Sequence, residues 1–144
     1  MWIFNGFDEL KAAVGTEIGV SDWIEVTQDR INKFAEATCD EQWIHVNQER
    51  ATAEIPCGKT IALEPDTDVL PLRDGPEGKN TLNYGADRIR YLSPVPAGSK
   101  PRVSIAEAED VPPNGLRVHY RVVIEIEGGP RPACVAEVIG LHYS

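Results

Sequence analysis

Residues 116–127, LRVHYRVVIEIE, alternate apolar and polar side chains almost without a break. Val118, Tyr120, Val122, Ile124 and Ile126 fall on one side of an extended chain. Arg117, His119, Arg121, Glu125 and Glu127 fall on the other, with Val123 the one departure. Successive side chains of a strand leave opposite faces, so this period of two predicts a half-buried strand. Residues 132–143, PACVAEVIGLHY, are apolar in both registers, which predicts a strand inside the sheet, covered on each side. The EGGPRP stretch between the two predicts a hairpin connection. KPRVSIAEAE, ended by EDVPPNG, and TLNYGADRIRYLSP, closed by proline, predict two more strands.

The first half of the chain has a different period. FDELKAAVG reads as a short amphipathic helix with Phe7, Leu10 and Val14 on one face and Gly15 as its stop. TEIGVSDWIEV reads as extended. In TQDRINKFAEAT, Thr27 is the N-cap of a helix whose stripe is Ile31, Phe34 and Ala35. TCDEQWIHVN then reads as a loop, and Asn47 caps another short helix over NQERATAE. Helices followed by an antiparallel meander predict an α+β fold, a curved sheet packed against helical material. A chain of 144 residues without internal repeats is long enough to close one core without staples, so residues 1–144 read as one domain.

Fourteen Lys and Arg against 23 Asp and Glu give a net charge of −9, which argues against nucleic acid as a partner. Cys39, Cys57 and Cys134 make an odd count with no framework spacing, as expected of a reducing, cytoplasmic compartment. A zinc site built from Cys39, His45 and Cys57 matches no compact ligand pattern, so no metal is expected. Asp8 comes too early for a signal-peptide apolar region and no apolar run is long enough to span a bilayer, so no membrane association is expected.

The chemistry concentrates at Asp40 and His45, where the helical pattern runs out. Adding water to an activated double bond, or removing it, takes a general base, a general acid and a donor that polarises a carbonyl. Histidine titrates near neutral pH, and a carboxylate beside it can share a proton or hold the water. Spacing alone also fits a polar helix-end residue beside an ordinary loop or partly buried histidine. Lys59, Arg88 and Arg90 are the cations available for a phosphorylated ligand, the two arginines on one face if the strand is regular; a solvated strand face accounts for that pair as well. Trp23 and Trp43 read as core or interface residues, and His119 and His142 as surface or core residues without a companion acid.

SDWIEVTQDRINKFAEATCDEQWIHVNQERA resembles the MaoC-like (R)-specific enoyl-CoA hydratase family. That family has a Ser-Asp-Trp strand, a helix ending in Phe-Ala-x-x-Thr-Gly-Asp and a Trp-Ile-His-Val-Asp stretch. The resemblance resumes at LNYGADRIRYLSPVPAGS and IEGGPRPACVAEVI. It implies a single hotdog domain, in which a curved antiparallel sheet wraps around helical segments. It also implies an acyl-CoA thioester substrate, no cofactor beyond that thioester, and a homodimer. The implied reaction is reversible syn hydration of a trans-2-enoyl thioester to a 3-hydroxyacyl thioester, with Asp40 and His45 as the catalytic pair and a backbone N–H stabilising the enolate-like oxygen. With such a substrate, Arg88 and Arg90, or Lys59, are the candidates to meet the phosphates of coenzyme A.

After GKTIA the family continues with Ala-His-Gly and an apolar run that forms the helix inside the sheet. Here Leu63 and Glu64 stand in place of the His and Gly, Pro65 follows, and residues 63–80 hold three prolines, five acids and two glycines. The backbone N–H of Glu64 still suits the oxyanion role, while its carboxylate brings negative charge near a site where negative charge develops. The lost apolar stripe removes side chains worth about 2–5 kcal/mol each when buried. Cys39 replaces a glycine at a turn that favours positive φ, and Asn47 replaces an aspartate without loss of capping. Two alternatives stay open: a thioesterase using Glu64, Asp66 or Asp68, and a non-catalytic acyl-thioester-binding or assembly protein whose site has decayed.

Overall fold

The structure, a computed structural model, describes residue 4 and residues 6–62, 81–96, 100–111 and 115–143. In chain order the elements are α1 (Phe7–Ala12), β1 (Gly19–Val20), α2 (Gln28–Thr38), α3 (Trp43–Val46), α4 (Gln48–Glu54), β2 (Thr81–Tyr91), β3 (Lys100–Val111), β4 (Gly115–Glu125) and β5 (Cys134–Tyr143). Among the described residues four helices precede the four long strands, the order expected of an α+β chain. Residues 63–80, the segment with unusual composition, lie outside the described residues, and Glu64, Asp66 and Asp68 with them.

The sheet is antiparallel in every pairing, in the order β1-β3-β4-β5-β2. β3, β4 and β5 form the expected meander, but β2 does not lie beside its sequence neighbour β3. It crosses over to pair with β5, with Leu82 opposite Leu141 and Asp87 opposite Glu137. The reason is written in β5, whose second half is buried on both faces at Val138, Ile139, Gly140, Leu141 and His142. Such a strand belongs in the sheet interior with a neighbour on each edge.

The alternation in β4 produces the core. Leu116, Val118, Tyr120, Val122 and Ile124 are buried, while Arg121 between them is exposed. Cys134, Ala136 and Val138 continue the same surface on β5, and Phe4, Leu10, Ile18 and Val95 pack onto it. Each large aliphatic side chain enclosed this way contributes about 1.5–3 kcal/mol relative to exposure. α1 is held to this layer by Leu10, which is buried, and at its edge by Lys11, whose Nζ lies 2.5 Å from Asp110 of β3. That second contact is solvent-exposed and worth at most about 1 kcal/mol.

Two local expectations need correction. The stretch after Asp40 is not all loop: Trp43–Val46 close one helical turn. Phe34 does not join Ile31 and Ala35 in the buried stripe of α2 but is 40% exposed. At 100° per residue Ala35 lies 40° to one side of Ile31 and Phe34 60° to the other, so a narrow contact admits only one of them.

Candidate active site

α2 sets the position of Asp40. The helix starts where expected, with Thr27 extended and its Oγ1 accepting the N–H of Arg30 at 3.3 Å. Ile31 and Ala35 bury the inward face. The helix ends in a Schellman motif: the N–H of Cys39 donates to the carbonyl of Glu36 at 3.3 Å and that of Asp40 to Ala35 at 3.1 Å. The motif requires a left-handed residue at its corner, and Cys39 supplies it at φ 57°, ψ 28°. The turn that presents Asp40 is therefore kept although glycine is absent, at a steric cost of about 1–2 kcal/mol. The Oδ1 of Asp40 accepts a long contact of 3.4 Å from the N–H of Gln42, leading into α3.

α3 places His45. Its single turn is closed by His45 N–H to Gln42 at 2.9 Å and Asn47 N–H to Trp43 at 2.9 Å. Asn47 then caps α4, its Oδ1 accepting the N–H of Arg50 at 2.9 Å. Arg50 lies over the Trp43 ring, 4.0 Å from its centroid, and donates to Glu54 at 2.9 and 3.2 Å. Trp43 thus serves as a platform that ties α3 to α4.

The histidine itself is buried. Its Nδ1 lies 2.7 Å from the carbonyl oxygen of Ile61. A carbonyl only accepts, so Nδ1 carries the proton and Nε2 of the neutral ring keeps its lone pair. The carbonyl is held in turn: Ile61 N–H donates to Ile44 at 3.1 Å, Ala62 N–H donates to Val95 at 2.9 Å, and Ile61 bridges to Pro96. A partner sixteen residues downstream therefore fixes the ring. Sequence spacing carries no signal for such a contact.

Asp40 lies in the connection between α2 and α3 and His45 on α3, and among the described residues no direct hydrogen bond or ion pair joins them. Lys59 is exposed on the segment that leads to Ile61. Arg88 and Arg90 lie on β2, across a bulge in which two residues, Arg88 and Ile89, face Ala136 alone. Arg88 adopts φ 52° there and its Nη1 donates to Glu137 at 2.9 Å, while Arg90 Nη1 donates to the carbonyl of Ile89 at 2.9 Å. The extra residue breaks the alternation that would have put the two guanidinium groups on one face. Trp23 is half exposed, His119 is partly buried on β4, and His142 is buried against Tyr120. Among the described residues no three His, Cys, Asp or Glu side chains converge as metal ligands, and no helix is long and apolar enough to cross a membrane.

The family model described as "MaoC like domain" matches residues 9–63, the stretch that runs from α1 through Asp40, His45 and Ile61. The chain is 40% identical over 147 residues to 3-hydroxyacyl-thioester dehydratase Z of Mycobacterium tuberculosis, covering 96% of this chain and 97% of that one. It is 39% identical over 140 residues to nodulation protein N of Rhizobium leguminosarum bv. viciae, covering 91% and 87%. The solved R-hydratase PhaJ1 from Pseudomonas aeruginosa in the unliganded form superposes with a TM-score of 0.60 at 19% identity, over 84% of this chain and 77% of that one. From these matches together, the chain belongs to the MaoC-like dehydratase family, a hydro-lyase family with the hotdog fold.

Proposed function

We propose that the chain interconverts trans-2-enoyl-CoA and (R)-3-hydroxyacyl-CoA, with Asp40 and His45 handling the water. The observation that carries this reading is the Nδ1 contact of His45 with the Ile61 carbonyl, which leaves Nε2 as the ring's proton acceptor. In the hydration direction, Asp40 and His45 Nε2 accept the two hydrogens of one water, whose oxygen bonds to C3 of the enoyl thioester. The C2–C3 π electrons move toward the thioester oxygen, and a proton taken from the water is returned to C2. Overall H and OH add across one double bond, and dehydration is the same path reversed. The backbone N–H of Glu64 is assigned to the enolate oxygen on the family resemblance.

Lys59 is the cation we assign to the coenzyme A phosphates, since it is exposed and one residue from Thr60, next to the carbonyl that holds His45. Arg88 and Arg90 are secondary candidates as the cations of β2. The Arg88 pair with Glu137 is exposed on the arginine side and exchanges readily. A homodimer is supported by β2, an edge strand that carries Leu82, Tyr84 and Tyr91, each more than half exposed. A cytoplasmic location fits the exposed thiols of Cys39 and Cys57.

The direct test supplies crotonyl-CoA to the purified chain. Loss of the enoyl thioester absorbance with formation of the R enantiomer of 3-hydroxybutyryl-CoA is expected. Absence of turnover with acyl chains of every length overturns the reading, and thiol release without hydration points to a thioesterase.

A further inference from the structure

Gln28, the first residue of α2, uses every polar atom of its side chain on the neighbourhood of His45. Its Nε2 donates to the main-chain oxygen of His45 at 2.7 Å and to Asn32 Oδ1 at 2.9 Å. Its Oε1 accepts the hydroxyl of Thr60, a residue only 3% exposed. The His45 carbonyl forces the amide orientation, because the opposite flip would set Oε1 against that oxygen, while the Thr60 hydroxyl, able to donate or accept, turns its proton toward Oε1. Thr60 precedes Ile61, the residue whose carbonyl holds the His45 ring. One side chain therefore grips the main chain of the histidine and the strand that grips its imidazole.

We propose that Gln28, acting with Thr60, is a positioning residue for His45. It sets the separation between the His45 backbone and the Ile61 carbonyl, and so the Nδ1–H tautomer and the direction of Nε2. The proposal rests on the reading of His45 as the group that reacts with water. Helix propensity does not account for the glutamine: a first turn favours acids, as Asp29 illustrates, and glutamate would suit the dipole better. Glutamate at 28 would keep size and reach but lose both donors, leaving an anion against the His45 carbonyl. Buried partner groups of this kind set the tautomer and orientation of a working imidazole.

The test uses the full chain with ¹⁵N-labelled histidine, the His45 signals being identified by their loss in His45→Gln. Imidazole ¹⁵N shifts report the tautomer whether or not the protein turns over substrate. In the wild type the Nδ1–H form is expected to dominate. In Gln28→Glu and Thr60→Val a mixture of tautomers is expected, with kcat down about tenfold to a hundredfold and KM within about threefold. Thr60→Ser, which keeps the hydroxyl, is expected to restore both.

A wild-type Nε2–H tautomer overturns the proposal, as does wild-type tautomer and kcat in folded Gln28→Glu. Equal damage from Thr60→Ser and Thr60→Val overturns it too, because volume and not the hydroxyl would then matter. If Gln28→Glu does not fold, the Thr60 pair decides. If the wild type proves inactive, the catalytic reading fails, while the tautomer series still answers whether Gln28 and Thr60 orient the ring.

Discussion

Tyr120 Oη lies 2.6 Å from His142 Nε2 inside the core, joining β4 to β5 by a hydrogen bond between two rings set edge to face. Tyr120 pairs with Val138 and His142 with Leu116, so the two rings meet only by leaning over the residue between them, Gly140. A Cβ at that position would stand 3.2 Å from Tyr120 Cε2 and 3.3 Å from His142 Nε2. Burial drives the Tyr120 phenol well above its usual range and the His142 imidazole below its own, so the pair is neutral at pH 7.

Gly140→Ala is therefore expected to destabilise the fold by about 1–3 kcal/mol, the range for overpacking a close-packed interior. At an ordinary strand position the same change stabilises by about 0.5–1 kcal/mol. The midpoint of urea unfolding separates the two signs.

His142 also gives stability a pH dependence of known sign. The unfolded imidazole takes up a proton near pH 6.5, whereas the folded one resists it because of burial. The unfolded state then binds more protons, so the contribution is whole above about pH 6.5 and drains away as pH falls toward the lowered folded value. In His142→Gln that part of the acid loss disappears. Urea unfolding free energies at pH 7.5 and 5.5 should show the wild type losing more stability than the variant; equal losses would contradict a neutral buried imidazole.

Much of the frame is legible in the amino-acid sequence alone. The alternation from Val118 to Ile124 predicts its buried face, and Thr27 and Asn47 cap the helices they were expected to cap. What could not be read depends on distant contacts. The pairing of β2 with β5 answers a need of β5 and not of β2. The Arg88 bulge leaves no mark in an otherwise regular DRIRY stretch. Asp40 and His45 stood out through a family resemblance, but the Ile61 carbonyl, Gln28 and Thr60 sit sixteen, seventeen and fifteen residues from His45. No helical or strand period links such positions.

At Cys39 the chain tolerates left-handed strain at the turn that presents Asp40. Cys39→Gly should relieve a left-handed cost of about 1–2 kcal/mol, offset by about 0.5–1 kcal/mol of added unfolded-state entropy. A small net stabilisation is expected, with unchanged hydration kinetics because the Schellman turn is already formed. Thermal unfolding with a parallel activity assay checks both halves.

The β2 edge predicts the state of assembly. Light scattering at low micromolar concentration should give twice the chain mass for the wild type. Leu82→Lys with Tyr91→Lys, which places charge on an apolar edge, should give the single-chain mass with the fold intact. A wild-type monomer would contradict the homodimer, and a mass unchanged by the double substitution would move the contact elsewhere.

The measurement that bears most directly on the account is the hydration rate of crotonyl-CoA by the wild type, Asp40→Asn and His45→Gln, each shown to be folded by its thermal transition. If the carboxylate and the His45 Nε2 share the work of activating water, each substitution should lower kcat by about a hundredfold to ten-thousandfold. A folded Asp40→Asn or His45→Gln that hydrates at the wild-type rate would contradict it.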